Sequence, residues 1–235
     1  MLPFFVVVIF FLVGIIVRIS FGQEVLSLAN SVDTPWGIVT SNFVFDGLPN
    51  MYAMLLFLLF LYLSSISFKL KVRKVRYIST IVSMFLGGVF ANFLWFYEML
   101  KSGNTVTSAG QSGVVYAFWG ACFSLFLIDT LIIIIIIIIG KGVKLIRKNP
   151  SQIEVLKSSR KKLRWMGAIS SVLVSISVLA DLYDGQKAFF SESPHVNYFV
   201  HIAAFFIGMA ISISIYSLMF IRLSIKIRSD NVVQS

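Results

Sequence analysis

Six long runs of apolar residues, separated by polar or basic segments, constrain this chain more than any other feature. Five of the runs are plain and one is shorter, and they cover residues 2–19, 51–68, 78–97, 113–139, 166–182 and 198–221. One helix needs about 20 apolar residues to cross the hydrocarbon core of a bilayer. Hydrophobic residues make up 58% of the chain and charged residues only 13%, which excludes a water-soluble domain of this size. The sequence predicts an all-α integral membrane protein, a bundle of six transmembrane helices.

The chain shows no internal repeat and no linker rich in proline, glycine or serine. Residues 1–235 are therefore predicted to form a single membrane domain in contact with the lipid bilayer. The eight consecutive isoleucines at 132–139 are interpreted as lipid-facing residues without a specific role, within a long fourth span.

The basic residues predict the orientation of this domain. Five lie between residues 69 and 76, nine between 141 and 164, and three between 222 and 228, so that 17 of the 20 fall on one side of the membrane. By the positive-inside rule this side is cytoplasmic, which predicts a multi-pass protein of the cell membrane with both termini in the cytoplasm. The net charge of +10 is thus interpreted as a topology signal, and nucleic acid is not an expected partner.

The sharpest candidate for chemistry is Gly110-Gln111-Ser112-Gly113, where an outer loop enters the fourth span. Glycines on both sides permit a tight turn from loop to helix, and a helix N-terminus offers N–H groups that could hold an oxyanion. Such strings are also common as packing devices in membrane helices, so the motif alone does not identify a nucleophile.

A serine nucleophile needs a base, and the chain has two histidines, His195 and His201. His201 begins the sixth span at a depth similar to that of Ser112, whereas His195 lies in the preceding outer loop. Small residues at helical spacing predict close packing of the two spans; they are Gly113, Ala117, Gly120 and Ser124 on the fourth, and Ala204, Gly208 and Ser212 on the sixth. Tyr116, one turn after Ser112, is expected to stack on an imidazole and fix its orientation.

Residues 110–117, Gly-Gln-Ser-Gly-Val-Val-Tyr-Ala, resemble the catalytic motif of the rhomboid intramembrane serine proteases. Residues 200–204, followed by Gly208, resemble the family's sixth-span histidine motif, and the stretches 40–44 and 88–92 are also similar to rhomboid sequences. The resemblance runs from Trp36 to Ile221. It implies a rhomboid-like six-span fold, a Ser112–His201 dyad without cofactor, and substrates that are transmembrane helices of other proteins.

The second span departs from the family pattern, because rhomboids usually carry His-x-x-x-Asn there to hold the oxyanion. The corresponding residues here are Asn50 and Met54. An asparagine amide is a competent donor and a thioether is not. The expected oxyanion donors are therefore the side chain of Asn50 and the backbone N–H groups of Ser112 and Gln111. A rhomboid-like protein that binds transmembrane helices without cutting them is the alternative.

Asp129 and Cys122 are two further residues with side chains capable of chemistry. Asp129 is expected to cap a helical segment with Thr130, to bond locally or to mark a break before the isoleucines; a proton relay is the lesser alternative. Cys122 is the only cysteine and is interpreted as packing. With two histidines, one cysteine and scattered carboxylates, no metal site is expected. The sequence leaves substrate identity and oligomeric state open.

Overall fold

A computed structural model describes residues 2–22, 28–31, 33–45, 47–65, 68, 70–103, 110–144 and 198–233 of the protein. Within these ranges the chain is helical and contains no β-strand. The predicted fifth span, the basic segment at 147–164 and His195 lie outside the described residues.

Six helices form the described part of the chain. They are α1 (Leu2–Phe21), α2 (Gly37–Thr40), which continues into a 3-10 turn at Ser41–Phe43, α3 (Leu48–Ser65), α4 (Leu70–Ser102), α5 (Ser112–Lys144) and α6 (Tyr198–Val233). Predicted spans one, two, three, four and six thus each correspond to a helix. The second begins at Leu48 rather than Met51, because Pro49 is tolerated in a first turn, where its missing N–H is not needed.

Among the described residues, four helical segments are long and apolar enough to cross a membrane: Pro3–Phe21, Leu70–Ser102, Ser112–Asp129 and Phe199–Met219. The segments Gly37–Phe43 and Leu48–Leu63 meet at 83° and add a fifth if the bent pair is one span. These helices indicate a multi-pass membrane protein.

Helix α5 packs against both α4 and α6, and these two helices also pack against each other. Of the apolar part of α5, Ser112–Asp129, 78% is buried, against 22% for α1, so α5 is surrounded by protein and α1 is peripheral. At the contact of α5 with α6, a Cβ added to Gly208 would meet the Ala117 carbonyl oxygen and lie 2.7 Å from the Ala117 Cα. Glycine therefore allows the two backbones to touch, which confirms the predicted close packing of these spans.

A buried ion pair joins α4 to α5 far from the start of α5. Arg76 Nη1 donates to Asp129 Oδ1 at 2.8 Å, and Arg76 Nε donates to Ser65 Oγ at 3.1 Å. The guanidinium also lies over the Phe68 ring, with its Cζ 4.7 Å from the ring centroid.

This ion pair corrects two interpretations of the sequence. Arg76, which the sequence predicts to lie in a basic loop, is fully buried within α4. The expectation of a cap or break at Asp129 is wrong, because α5 continues through this residue to Lys144. A carboxylate inside an apolar helix is tolerated here because a cation from the neighbouring helix meets it.

Candidate active site

The chain that leads into α5 is held by the segment Ser41–Val44. Gly110 N–H donates to the Ser41 carbonyl at 3.2 Å, and Gln111 N–H donates to the Val44 carbonyl at 2.9 Å. Gly110 has a φ of 138°, a conformation that residues with a Cβ rarely adopt. A glycine and two backbone hydrogen bonds thus define the approach to Ser112.

Segment 41–44 is in turn tied to α4 by buried amides. Asn92 Nδ2 donates to Ser41 Oγ at 3.1 Å and to Asn42 Oδ1 at 3.0 Å, and Asn30 Nδ2 donates to the Asn92 carbonyl at 2.7 Å. Both protons of the Asn92 amide are therefore used, as a buried amide requires. These bonds join segment 41–44 to α4 at Asn92.

Ser112 is the first residue of α5 and is partly exposed. The helical bonding begins with Val115 N–H, which donates to the Gln111 carbonyl at 3.1 Å. The N–H groups of the first turn precede this bond and project from the N-terminal end of the helix, where negative charge is stabilised. The serine hydroxyl thus lies beside a local source of positive potential.

His201 lies in the first turn of α6 and is almost fully buried. Its imidazole stacks on the ring of Tyr116, with the centroids 4.3 Å apart and the planes only 8° from parallel. The stacking predicted from the sequence is therefore confirmed, and it fixes the plane of the imidazole.

The first turns of α5 and α6 are in contact. A Cβ added to Gly113 would lie 3.2 Å from Cγ1 of Val200, the residue before His201. Ser112 precedes Tyr116 by four residues, so both occupy the helical face on which His201 stacks. The structure thus brings the serine and histidine motifs to one end of the bundle, although they are far apart in sequence.

An aromatic layer lies beneath this pair of turns. The Tyr116 and Trp119 rings are 4.5 Å apart, and Trp119 is 5.4 Å from Phe57 of α3. On α6, Ala204 is fully buried on the helical turn after His201. The Tyr116 ring is thus in contact with both Trp119 and the His201 imidazole.

The two departures in the second span occupy different environments on α3. Asn50 lies in the first turn of α3 and is partly exposed, whereas Met54, one turn later, is fully buried. A buried methionine contributes packing and supplies no hydrogen-bond donor. Of these two side chains on α3, only that of Asn50 can donate a hydrogen bond.

Gln111 does not fit the role that the sequence suggested. Its backbone N–H is engaged by the Val44 carbonyl, and its side chain turns to α1, where Nε2 donates to the Phe10 carbonyl at 3.2 Å. A donor that already holds a protein carbonyl cannot also meet an oxyanion without losing that bond. Gln111 is thus removed from the candidate oxyanion donors.

Sequence reasoning missed the roles of Asn30, Asn42 and Arg76. Each is a buried polar side chain of the membrane domain. A polar side chain inside a membrane domain is energetically costly unless it is paired. The presence of these three residues in such a domain is therefore the signal that could have indicated partners.

Cys122 is a free, buried thiol of α5, in agreement with a packing role. In the described part of the chain, no three histidine, cysteine, aspartate or glutamate side chains are grouped so that they could hold a metal ion.

Comparison of the chain with protein-family models, with curated proteins and with solved structures gives no match.

Proposed function

We propose that the protein is an intramembrane serine endopeptidase of the rhomboid type, which cleaves transmembrane helices of other proteins. The observation that supports this most is the Tyr116–His201 stack, one turn below a serine at a helix N-terminus. A histidine used only for packing has no need of a fixed ring plane beside a partly exposed serine.

Ser112 is the nucleophile and His201 the general base in this proposal. The Ser112 oxygen attacks the substrate carbonyl while His201 accepts the hydroxyl proton, and His201 then gives a proton to the leaving amine. The acyl-enzyme is released by water, whose proton passes to His201 as its oxygen bonds the acyl carbon. When the Ser112–acyl bond breaks, His201 returns that proton to the serine oxygen.

In this proposal two groups stabilise the oxyanion. One is the backbone N–H of Ser112, at the start of α5, and the other is the side-chain amide of Asn50, in the first turn of α3. The positive end of the α5 dipole adds to this potential.

Labelling of the detergent-solubilised protein with a serine-reactive phosphonate tests this function. We expect one covalent adduct per chain on the wild type and none on Ser112→Ala. Equal labelling of the two proteins, or no labelling of either, would refute the serine-protease assignment.

A second function, binding of transmembrane helices without cleavage, is favoured by two observations. Met54 supplies no donor where rhomboids carry asparagine, and the Gln111 N–H is bonded to Val44. Each reduces the stabilisation available to an oxyanion. In this case a substrate helix would co-purify with the wild type, and no phosphonate adduct would form.

The Asn50 amide separates these two functions, because its bond to an oxyanion forms mainly in the transition state. We expect Asn50→Ala to lower kcat about 100- to 1,000-fold with little change in KM. Asn50→His, which restores the residue usual in the family, should retain much of the activity.

If Asn50 only caps α3, Asn50→Ala would instead cost about 1 kcal/mol of stability. That outcome would give a lower melting temperature and a near-normal kcat, and would remove Asn50 from the site. Tyr52→Ala, an exposed position on the same helix, is the control for changes in α3 itself.

The proposed orientation places the Ser112 end of the bundle at the outer face of the cell membrane. Asp33 and Lys74 are both exposed and lie on opposite sides in this topology. In intact cells we expect Asp33→Cys to react with a membrane-impermeant maleimide and Lys74→Cys to resist it until the cells are permeabilised. The native Cys122 is buried and serves as the background. The reverse pattern would move Ser112 to the cytoplasmic face.

A further inference from the structure

The Gln111 side chain occupies a gap in the surface of α1 that is shaped for it. Gln111 is fully buried, and its Nε2 donates to the Phe10 carbonyl at 3.2 Å. One turn further along α1, Gly14 carries no side chain. A Cβ at Gly14 would meet Nε2 and lie 2.8 Å from Cδ of Gln111. We call this gap, formed by Gly14 beside the Phe10 carbonyl, the Gly14 notch.

The notch is specific to this one side chain. The three atoms nearest to a Cβ at Gly14 are Nε2, Cδ and Oε1 of Gln111, and all belong to the terminal amide. Gly14 lies buried in the interior of α1, where glycine is less favourable for helix stability than alanine. The lack of a side chain at Gly14 therefore leaves the space that the Gln111 amide occupies.

The same residue is held a second time through its backbone. The Gln111 N–H donates to the Val44 carbonyl at 2.9 Å. Helix α1 thus binds the side chain of Gln111, and segment 41–44 binds its main chain. Gln111 is also the residue whose carbonyl accepts the Val115 N–H that begins the α5 ladder. Its position thus sets where the first turn of α5 begins, and Ser112 is the next residue.

We propose that Gln111 is a positioning residue for the chemistry of Ser112. Seated in the Gly14 notch, its amide fixes the depth and rotation of the first turn of α5, and hence the alignment of the Ser112 hydroxyl with His201. The inference rests on the proposed function. It also makes α1 a part of the site, although α1 contributes no reacting group.

A double-mutant cycle between Gly14 and Gln111 tests the inference. A displacement of about 1 Å at a reacting group lowers its rate about 100-fold, so we expect Gln111→Ala to slow phosphonate labelling of Ser112 by about 10- to 100-fold. Gly14→Ala should slow labelling similarly, because the new methyl group displaces the amide. In the Gln111→Ala background, Gly14→Ala should cause no further loss, because the atoms that it would meet are gone.

Two controls distinguish positioning from general damage. Val13→Ala changes the neighbouring, exposed position of α1 and should label at the wild-type rate. Gln111→Met fills the notch without a donor, so it should melt close to the wild type and still label slowly.

The outcomes separate this inference from the proposed function. A wild type without Ser112-dependent labelling refutes both. If the wild type labels and Gln111→Ala labels at the same rate below its melting temperature, Gln111 is only structural and the positioning role is refuted alone. An equal loss from Gly14→Ala in both backgrounds would also refute it, because the notch would then not act through Gln111.

Discussion

Replacing Ser112 with alanine is expected to abolish cleavage of a transmembrane substrate in reconstituted vesicles, and replacing His201 should do the same. Without the serine oxygen no acyl-enzyme forms, and without the imidazole the hydroxyl proton has no acceptor. Losses on the order of 10⁴-fold or more in kcat are usual for such residues.

The two losses should not add. Residues that act as one unit fail together, so the double variant should be no worse than either single variant. His201→Phe should also be inactive while it retains an aromatic ring on Tyr116, which separates loss of the base from loss of packing.

Matched controls exist for both residues. Ser124 is a buried serine of the same helix whose hydroxyl bonds the Ala121 carbonyl at 2.7 Å, so Ser124→Ala should remain active. His195→Ala removes the chain's other histidine and should also cleave normally. Cleavage by Ser112→Ala at a rate comparable with the wild type would end the serine-protease assignment.

Features that depend on spacing within one helix could be predicted from the sequence. Tyr116 follows Ser112 by four residues, and Ala204 and Gly208 continue the face of His201, so helical periodicity alone places each set on one face of its helix. Small residues along these faces predict that the two helices meet there, and the Tyr116–His201 stack and the contact of Gly208 with Ala117 agree with that expectation.

Features that depend on how helices are rotated against one another could not be predicted in this way. Arg76 meets Asp129 across 53 residues, and Gln111 meets Phe10 across 101. Packing against neighbouring helices sets the tilt and rotation of each helix, and the hydropathy of the sequence gives no information about either. Hydropathy predicts a loop at Arg76 because this residue follows an apolar run, whereas α4 begins at Leu70 and continues through Arg76.

The error at Gln111 has a different origin. Its place next to Ser112 suggested a backbone donor, but a buried N–H in an apolar domain takes the nearest carbonyl, here that of Val44. Proximity in sequence to a nucleophile therefore does not make an amide available to an oxyanion.

Replacing Arg76 with methionine is expected to cause the largest loss of stability of any single change considered for this protein. The change leaves Asp129 as a buried carboxylate without its cation, and Asp129 Oδ2 already has no hydrogen-bond partner among the described residues. Breaking a buried ion pair by removing one partner costs about 3–5 kcal/mol. The measurement is unfolding of the purified protein in mixed micelles.

Removing both charges tests whether this loss of stability comes from the unpaired carboxylate. Arg76→Met combined with Asp129→Leu leaves no uncompensated charge, and such replacements are neutral or stabilising by about 1–4 kcal/mol. The stability of the double variant should therefore be close to that of the wild type or greater, while Lys74→Met, at an exposed position of α4, should change stability by less than about 0.5 kcal/mol.

Asp129 lies 17 residues after Ser112 along α5, roughly 25 Å, so the double variant should label at the wild-type rate. Arg76→Met with unchanged stability would show that the pair contributes nothing to holding α4 against α5. A double variant that folds but no longer labels would instead assign the pair a role at the active site.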